Sequence, residues 1–124
     1  MELCSWGDLA KQIKSRVELP EEQKYFSEDD ILKAIGQTCQ ALKFADDCGI
    51  IHCDIKPGNI LVASGGILKI ADFGLSKILT SKEGEIINEG TLLYMSPEQV
   101  LRQPVTHKSD IWSLGVTIHE ACTL

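Results

Sequence analysis

Apolar positions along the chain change period twice, and the changes mark out its elements. Leu9, Ile13 and Val17 recur at intervals of four with lysines opposite, which predicts a short amphipathic helix. Leu19-Pro20-Glu21-Glu22 then reads as a linker holding a breaker. Ser27 is a cap residue, and Glu28, Asp29 and Asp30 place acid on the positive first turn of the helix that follows. Ile31, Ile35, Thr38, Leu42 and Ala45 keep helical spacing until Gly49 ends it, so this face is expected in the core. Next, Ile50-Ile51 and Ile60-Leu61-Val62 flank a polar turn, a strand–loop–strand pattern. Residues 60–63 and 67–71 flank Ser64-Gly65-Gly66, which predicts a hairpin. Residues 75–93 show no sustained period and carry mixed charge, so a functional loop without structure of its own is expected. Residues 97–101 can form a short helix, and the last helix opens near His107 with Ser109 or Asp110 as its cap.

Composition narrows this picture. A chain of 124 residues fits one domain with a modest core, and 44% hydrophobic with 24% charged residues is the balance of a globular protein. A net charge of −6 leaves no basic stripe for nucleic acid. No apolar run reaches membrane-spanning length, so neither nucleic acid nor membrane is an expected partner. Five scattered cysteines without a C-x-x-C pair predict reduced thiols and a cytoplasmic or nuclear setting. The three histidines lack metal spacing; His52 is expected to be packed, His107 and His119 solvated.

The candidate chemistry lies in the polar turn. Asp54, Lys56 and Asn59 follow one another at spacings of two and three, and Pro57-Gly58 bends the backbone so that they can converge. A carboxylate can accept or orient a hydroxyl proton, an ammonium can neutralise a phosphoryl group, and a carboxamide oxygen suits a hard cation. These are the parts that phosphoryl transfer needs. Asp, Pro, Gly and Asn are also ordinary turn residues, and the loop alone would pass for a plain turn.

The order of motifs changes that weighting. His52-x-Asp54-x-Lys56-x-x-Asn59 is followed by Asp72-Phe73-Gly74 and then Ser96-Pro97-Glu98, which resembles the catalytic half of a eukaryotic protein kinase of Ser/Thr type. The hinge "MELC..GDL", the segment "DFGLSK" and "GTLLYMSPE" look most like the never-in-mitosis-related (NIMA-related) kinases. The resemblance implies an α+β, protein-kinase-like fold seen as a mostly helical large lobe, truncated at both ends, with residues 1–124 a partial kinase domain. It implies ATP and Mg²⁺ or Mn²⁺ as cofactors and a protein substrate with a Ser or Thr acceptor. Asp54 would be the base and Lys56 the phosphate clamp, while Asn59 and Asp72 would hold metal and nucleotide phosphates. The backbones of Glu2 and Cys4 would pair with adenine behind a gate at Met1, Asp8 would reach the ribose, and Leu61 would floor the pocket. Asp8 could equally cap the helix at Leu9. Thr91, in the substrate-docking loop, would bond Asp54 and Lys56, and Asp110 would tie the last helix to the backbone near His52. Phe73 is expected to pack and Gly74 to free the backbone.

Two departures from the family pattern carry expectations. Cys53 stands where most kinases have an Arg that pairs with a phosphate in the activation segment, so modification at Thr80 or Ser81 should matter little. No Gly-rich loop or strand lysine precedes the hinge, and the Arg that pairs with the Glu98 position is absent. The last helix, with Ile111, Trp112, Leu114, Val116 and Ile118, is then expected to expose apolar surface and to need a partner that covers it. The alternative to an enzyme is an inactive kinase-derived binding or regulatory module. A kinase-like small-molecule phosphotransferase is a weaker third, since it would not carry Ser96-Pro97-Glu98 or "DIWSLG".

Overall fold

The structure, a computed structural model, describes residues 6–78, 85–86 and 91–124. Its central element is helix α3, Glu28–Asp47. Ser27 Oγ accepts the Asp30 N–H at 3.1 Å, and the acidic first turn sits on the positive end of the helix dipole. Cys48 closes the helix, and Gly49 at φ 70 turns the chain away. The fully buried positions are Ala34, Thr38, Leu42 and Ala45, while Ile31 and Ile35 are half-buried. The seam is therefore rotated towards Ala34, a residue small enough for close helix approach. Thr38 is satisfied inside the core by donating to the Ala34 carbonyl at 2.6 Å.

Helix α1, Leu9–Val17, forms as expected, with Asp8 accepting the Lys11 N–H at 2.8 Å. Leu9 and Ile13 join Ile60 and Ala121 in one core cluster, but Val17 on the last turn is exposed. The supposed linker contains a short helix, α2, Glu21–Lys24. Pro20, extended at its N-cap, separates α1 from α2 as a breaker does, and the helical part of the expected linker is Glu21-Glu22. Arg16 fastens this corner, lying 4.1 Å over the Phe26 ring and donating to the carbonyls of Gln23 and Tyr25.

Among the described residues the strands form three antiparallel pairs. Strand β1, Ile50–Ile51, enters the polar turn, which tightens into a 3₁₀ turn at Pro57–Asn59; β2, Ile60–Ala63, leaves it. β2 pairs with β3, Ile67–Ile70, around Ser64–Gly66, with Gly65 and Gly66 at positive φ. Gln37 of α3 clips this hairpin down by accepting the Leu68 N–H at 2.7 Å and donating to the Gly66 carbonyl. The stretch 75–93 is not free of structure. β4, Lys77–Ile78, pairs with β1, and β5, Glu85–Ile86, pairs with β6, Pro104–Val105. Two-residue strands are too short for a period to register.

Helix α4, Pro97–Val100, is opened by a capping box in which Ser96 and Gln99 satisfy each other's backbone. Helix α5, His107–Thr123, is capped by Thr106, not by Ser109 or Asp110. Those two are buried in its first turn and serve other segments: Ser109 donates to Glu98, and Asp110 accepts from the His52 backbone at the polar turn. Leu114 packs with Leu42 and Ile55 in a second core cluster, while Ile111 and Trp112 remain about half exposed. His52 is fully buried and His107 and His119 are exposed, as expected. No helix among the described residues is long and apolar enough to cross a membrane.

Candidate active site

Between β1 and the Pro57–Asn59 turn the chain needs one unusual residue. Cys53 sits at φ 71, in the left-handed region, which costs a non-glycine residue about 1–3 kcal/mol unless its surroundings impose it. Its neighbours do impose it. Asp110 of α5, 3% exposed, accepts the His52 N–H at 2.8 Å and the Cys53 N–H at 2.9 Å, one on each carboxylate oxygen. Burial raises the Asp110 pKa, and the two N–H bonds only partly offset it. His52 braces the loop from the other side. Its Nδ1 faces the Asp54 N–H at 3.3 Å and its Nε2 faces the Ala71 carbonyl at 2.9 Å, which assigns the ring proton to Nε2. The Phe73 ring meets it edge-on, with centroids 4.8 Å apart. Phe73 thus packs on His52 by one edge but remains about half exposed.

The bend delivers Asp54 into a closed polar cluster. Its Oδ1 accepts the Thr91 hydroxyl at 3.0 Å and the Thr91 N–H at 3.1 Å. Its Oδ2 accepts from Lys56 Nζ at 2.9 Å and from Asn59 Nδ2 at 3.1 Å. Lys56 also donates to Thr91 Oγ1 at 2.6 Å, and Asn59 Nδ2 also reaches the Asp54 carbonyl at 2.8 Å. Burial alone would raise the Asp54 pKa. Hydrogen bonds from Lys56 and Thr91, with the Lys56 charge, outweigh it and hold the carboxyl below the ordinary carboxylate value. The cluster therefore presents an ionised acceptor beside an ammonium and a hydroxyl.

Thr91 reaches this cluster because its turn is anchored to α5. Tyr94, in the 3₁₀ turn Leu92–Tyr94, donates its hydroxyl to Glu120 at 2.6 Å, and its carbonyl accepts from Ser113. Burial and the Glu120 carboxylate push the Tyr94 pKa up to about 12. Glu98 accepts the Ser109 hydroxyl.

The other predicted residues fall in two further places. Asp72 stands at φ 59 just after β3, exposed, with Oδ1 accepting the Gly74 N–H at 3.3 Å. The Ala71 N–H bonds the Asn59 carbonyl at 2.9 Å, which holds the two metal-ligand candidates on adjoining backbone. The left-handed residue is Asp72, not Gly74. A Cβ at Gly74 would lie 3.0 Å from Asp72 Oδ1, so any larger residue would push that carboxylate aside. Asp8 and Leu61 form a β-bridge of their own, with Asp8 used as the α1 cap and Leu61 half-buried beside it. Met1, Glu2, Cys4, Thr80 and Ser81 lie outside the described residues. Sequence reasoning missed Gln99, which is buried and donates to the Cys53 carbonyl at 3.2 Å. Its signal was the Ser96-x-x-Gln99 spacing of a capping box.

The carboxylate, ammonium, carboxamide and hydroxyl thus share one cluster, on the loop order that the motifs predicted. The family model for the protein kinase domain matches residues 1–124, the whole chain. The chain belongs to the protein kinase family. Among its kinase relatives, serine/threonine-protein kinase Nek1 of Mus musculus is 40% identical over 126 residues, covering all of this chain and 10% of the relative. Serine/threonine-protein kinase Nek5 of Homo sapiens is 40% identical over 126 residues, with 17% of its length covered. Serine/threonine-protein kinase Nek2 of Homo sapiens is 39% identical over 132 residues, with 28% covered. The chain spans less than a third of the length of these kinases, which are the NIMA-related group its motifs resemble.

Proposed function

We propose that this chain is the catalytic-loop part of a protein serine/threonine kinase, which transfers the γ-phosphoryl group of ATP to a Ser or Thr hydroxyl of a protein substrate. The observation that carries the proposal is the four-residue cluster Asp54–Lys56–Asn59–Thr91. Asp54, kept ionised, orients the acceptor hydroxyl and takes its proton as the oxygen bonds to phosphorus. Lys56 lies 2.9 Å from that carboxylate, close enough to lay its positive charge against the transferring phosphoryl group. Thr91 bonds both side chains and so holds carboxylate and ammonium together. Domain organisation follows the same reading: residues 1–124 contain hinge, catalytic loop, activation segment and central helix, in a cytoplasmic or nuclear protein.

The residues present fit a divalent cation. Asn59 commits Nδ2 to Asp54, which leaves its carboxamide oxygen for a hard ion, and the Asp72 carboxylate is exposed nearby in the chain path. No group of three or more His, Cys, Asp or Glu side chains that could hold a metal occurs among the described residues. Two protein oxygens with phosphate and water oxygens completing the shell is the arrangement Mg²⁺ or Mn²⁺ accepts. When bound, the ion neutralises charge on the ATP phosphates.

The test compares wild type with Asp54→Asn in the protein as its cells make it, using radiolabelled ATP and a mixed protein substrate. Label should appear on Ser and Thr, and the variant should lose about 10²–10⁴-fold in turnover while nucleotide affinity changes less than about threefold. Turnover by Asp54→Asn at the wild-type rate would overturn the assignment. Nucleotide binding without transfer in wild type would replace it with a binding module.

A further inference from the structure

The peptide unit joining Cys53 to Asp54 is gripped at both ends. Its N–H, on Asp54, donates to His52 Nδ1 at 3.3 Å. Its carbonyl, on Cys53, accepts from Gln99 Nε2 at 3.2 Å. Gln99 comes from α4, 46 residues further on, and is 3% exposed. The carboxamide has one orientation only, because its Oε1 accepts the Ser96 N–H at 3.0 Å and the Ser96 hydroxyl at 3.2 Å. Nε2 is therefore the end that must face Cys53. Asp110 holds the same residue by its N–H, and Ile51 and Val105 pack with it. A non-glycine residue at φ 71 relaxes when such supports are removed.

We infer that Gln99 is a positioning residue for Asp54: by holding the Cys53 carbonyl it fixes the peptide plane from which the Asp54 side chain projects. The inference rests on the reading of Asp54 as the group that orients the acceptor hydroxyl. It gives the segment that carries Thr91 a second route to that carboxylate. Thr91 touches Asp54 directly, whereas Gln99 acts on the backbone just before it.

Two substitutions separate this role from helix capping. Gln99→Glu keeps an oxygen for the Ser96 N–H, the natural capping box, and sets a second oxygen where the donor to Cys53 was. Gln99→Met keeps the volume and removes both polar atoms. In the full protein each should lower kcat about tenfold to a hundredfold while KM for ATP moves less than about twofold, the pattern of a misplaced catalytic group. Adding Cys53→Gly, which adopts a left-handed φ without strain, should shrink the loss from Gln99→Met to about threefold or less. Hydrogen exchange of the Asp54 amide gives a readout independent of turnover, and Gln99→Met should speed it about tenfold or more. The inference is overturned if kcat stays within about twofold of wild type in both variants, if the loss is equal with and without Cys53→Gly, or if Asp54 exchange is unchanged. Turnover that survives Asp54→Asn would instead defeat the reading of Asp54 itself. Asp54-dependent turnover that ignores Gln99 defeats only this inference.

Discussion

Replacing Asp110 tests how the loop that carries Asp54 is held. Its carboxylate accepts two backbone N–H groups, from His52 and Cys53, while almost fully buried. Asp110→Asn keeps the shape but offers one oxygen, and it turns an NH₂ towards whichever N–H loses its acceptor. Hydrogen bonds to a charged group contribute about 1.5–3 kcal/mol each, and a buried donor left alone costs about 1–3 kcal/mol. Removing the charge recovers some desolvation, so Asp110→Asn should destabilise by about 2 kcal/mol and Asp110→Ala, which orphans both donors, by about 3–5 kcal/mol. The pH dependence has a definite sign. Burial raises the Asp110 pKa above its ordinary 3.8, so between these values the folded state binds the extra proton and this group's contribution to stability falls as pH rises. Asparagine lacks that contribution. The stability gap between wild type and Asp110→Asn should therefore widen as pH falls through the raised pKa, and level off near 3.8. Urea denaturation across that range measures it, with an unchanged m-value as the check on two-state behaviour. Asp110→Ala within about 0.5 kcal/mol of wild type, the range of surface substitutions, would refute the reasoning.

Four other outcomes follow from the site and its surroundings. Thr91→Ser should retain activity, while Thr91→Val, which strips a hydrogen bond from both Asp54 and Lys56, should lower kcat about tenfold or more. Because Thr91 and Lys56 hold the Asp54 pKa down against burial, loss of Thr91 should also shift the acidic limb of the pH–rate profile upwards. Gly74→Ala places a methyl against the Asp72 carboxylate and should raise the Mg²⁺ concentration needed for half-maximal rate, measured by titrating the metal at fixed ATP. Thr80→Glu and Ser81→Glu should change activity by less than about fivefold, since Cys53 offers no guanidinium to a new negative charge; a large gain in the same assay would count against this.

What could be read from the chain alone depended on how local the interaction was. Asp54, Lys56 and Asn59 sit within six positions, and a bend between them was enough to predict convergence. Thr91 and Asp110 lie 37 and more positions away, and only the family resemblance joined them to the loop. Capping was legible at Asp8 and Ser27, where one candidate stood before a clear period. It failed at α5, where Thr106, Ser109 and Asp110 all have cap chemistry and tertiary partners claim the last two. Pro20 does break the chain between α1 and α2, but a helical turn begins right after it, so Glu21 and Glu22 of the expected linker are helical. Gln99 escaped notice because a capping side chain has two ends, and only one is local.

The bond between Asp110 and the loop also sets an order of events in time. Its partners are 57 and 58 positions upstream, so a growing chain has made the whole loop around Asp54 long before it makes the residue that shapes it. Until α5 docks, the Cys53 N–H lacks the carboxylate that holds it, and the left-handed turn before Asp54 rests on its remaining supports. Chain closure over such a separation is among the slower contacts to form. The alignment of this loop is therefore complete only once α5 has docked, and partly folded chains carry the full motif without it.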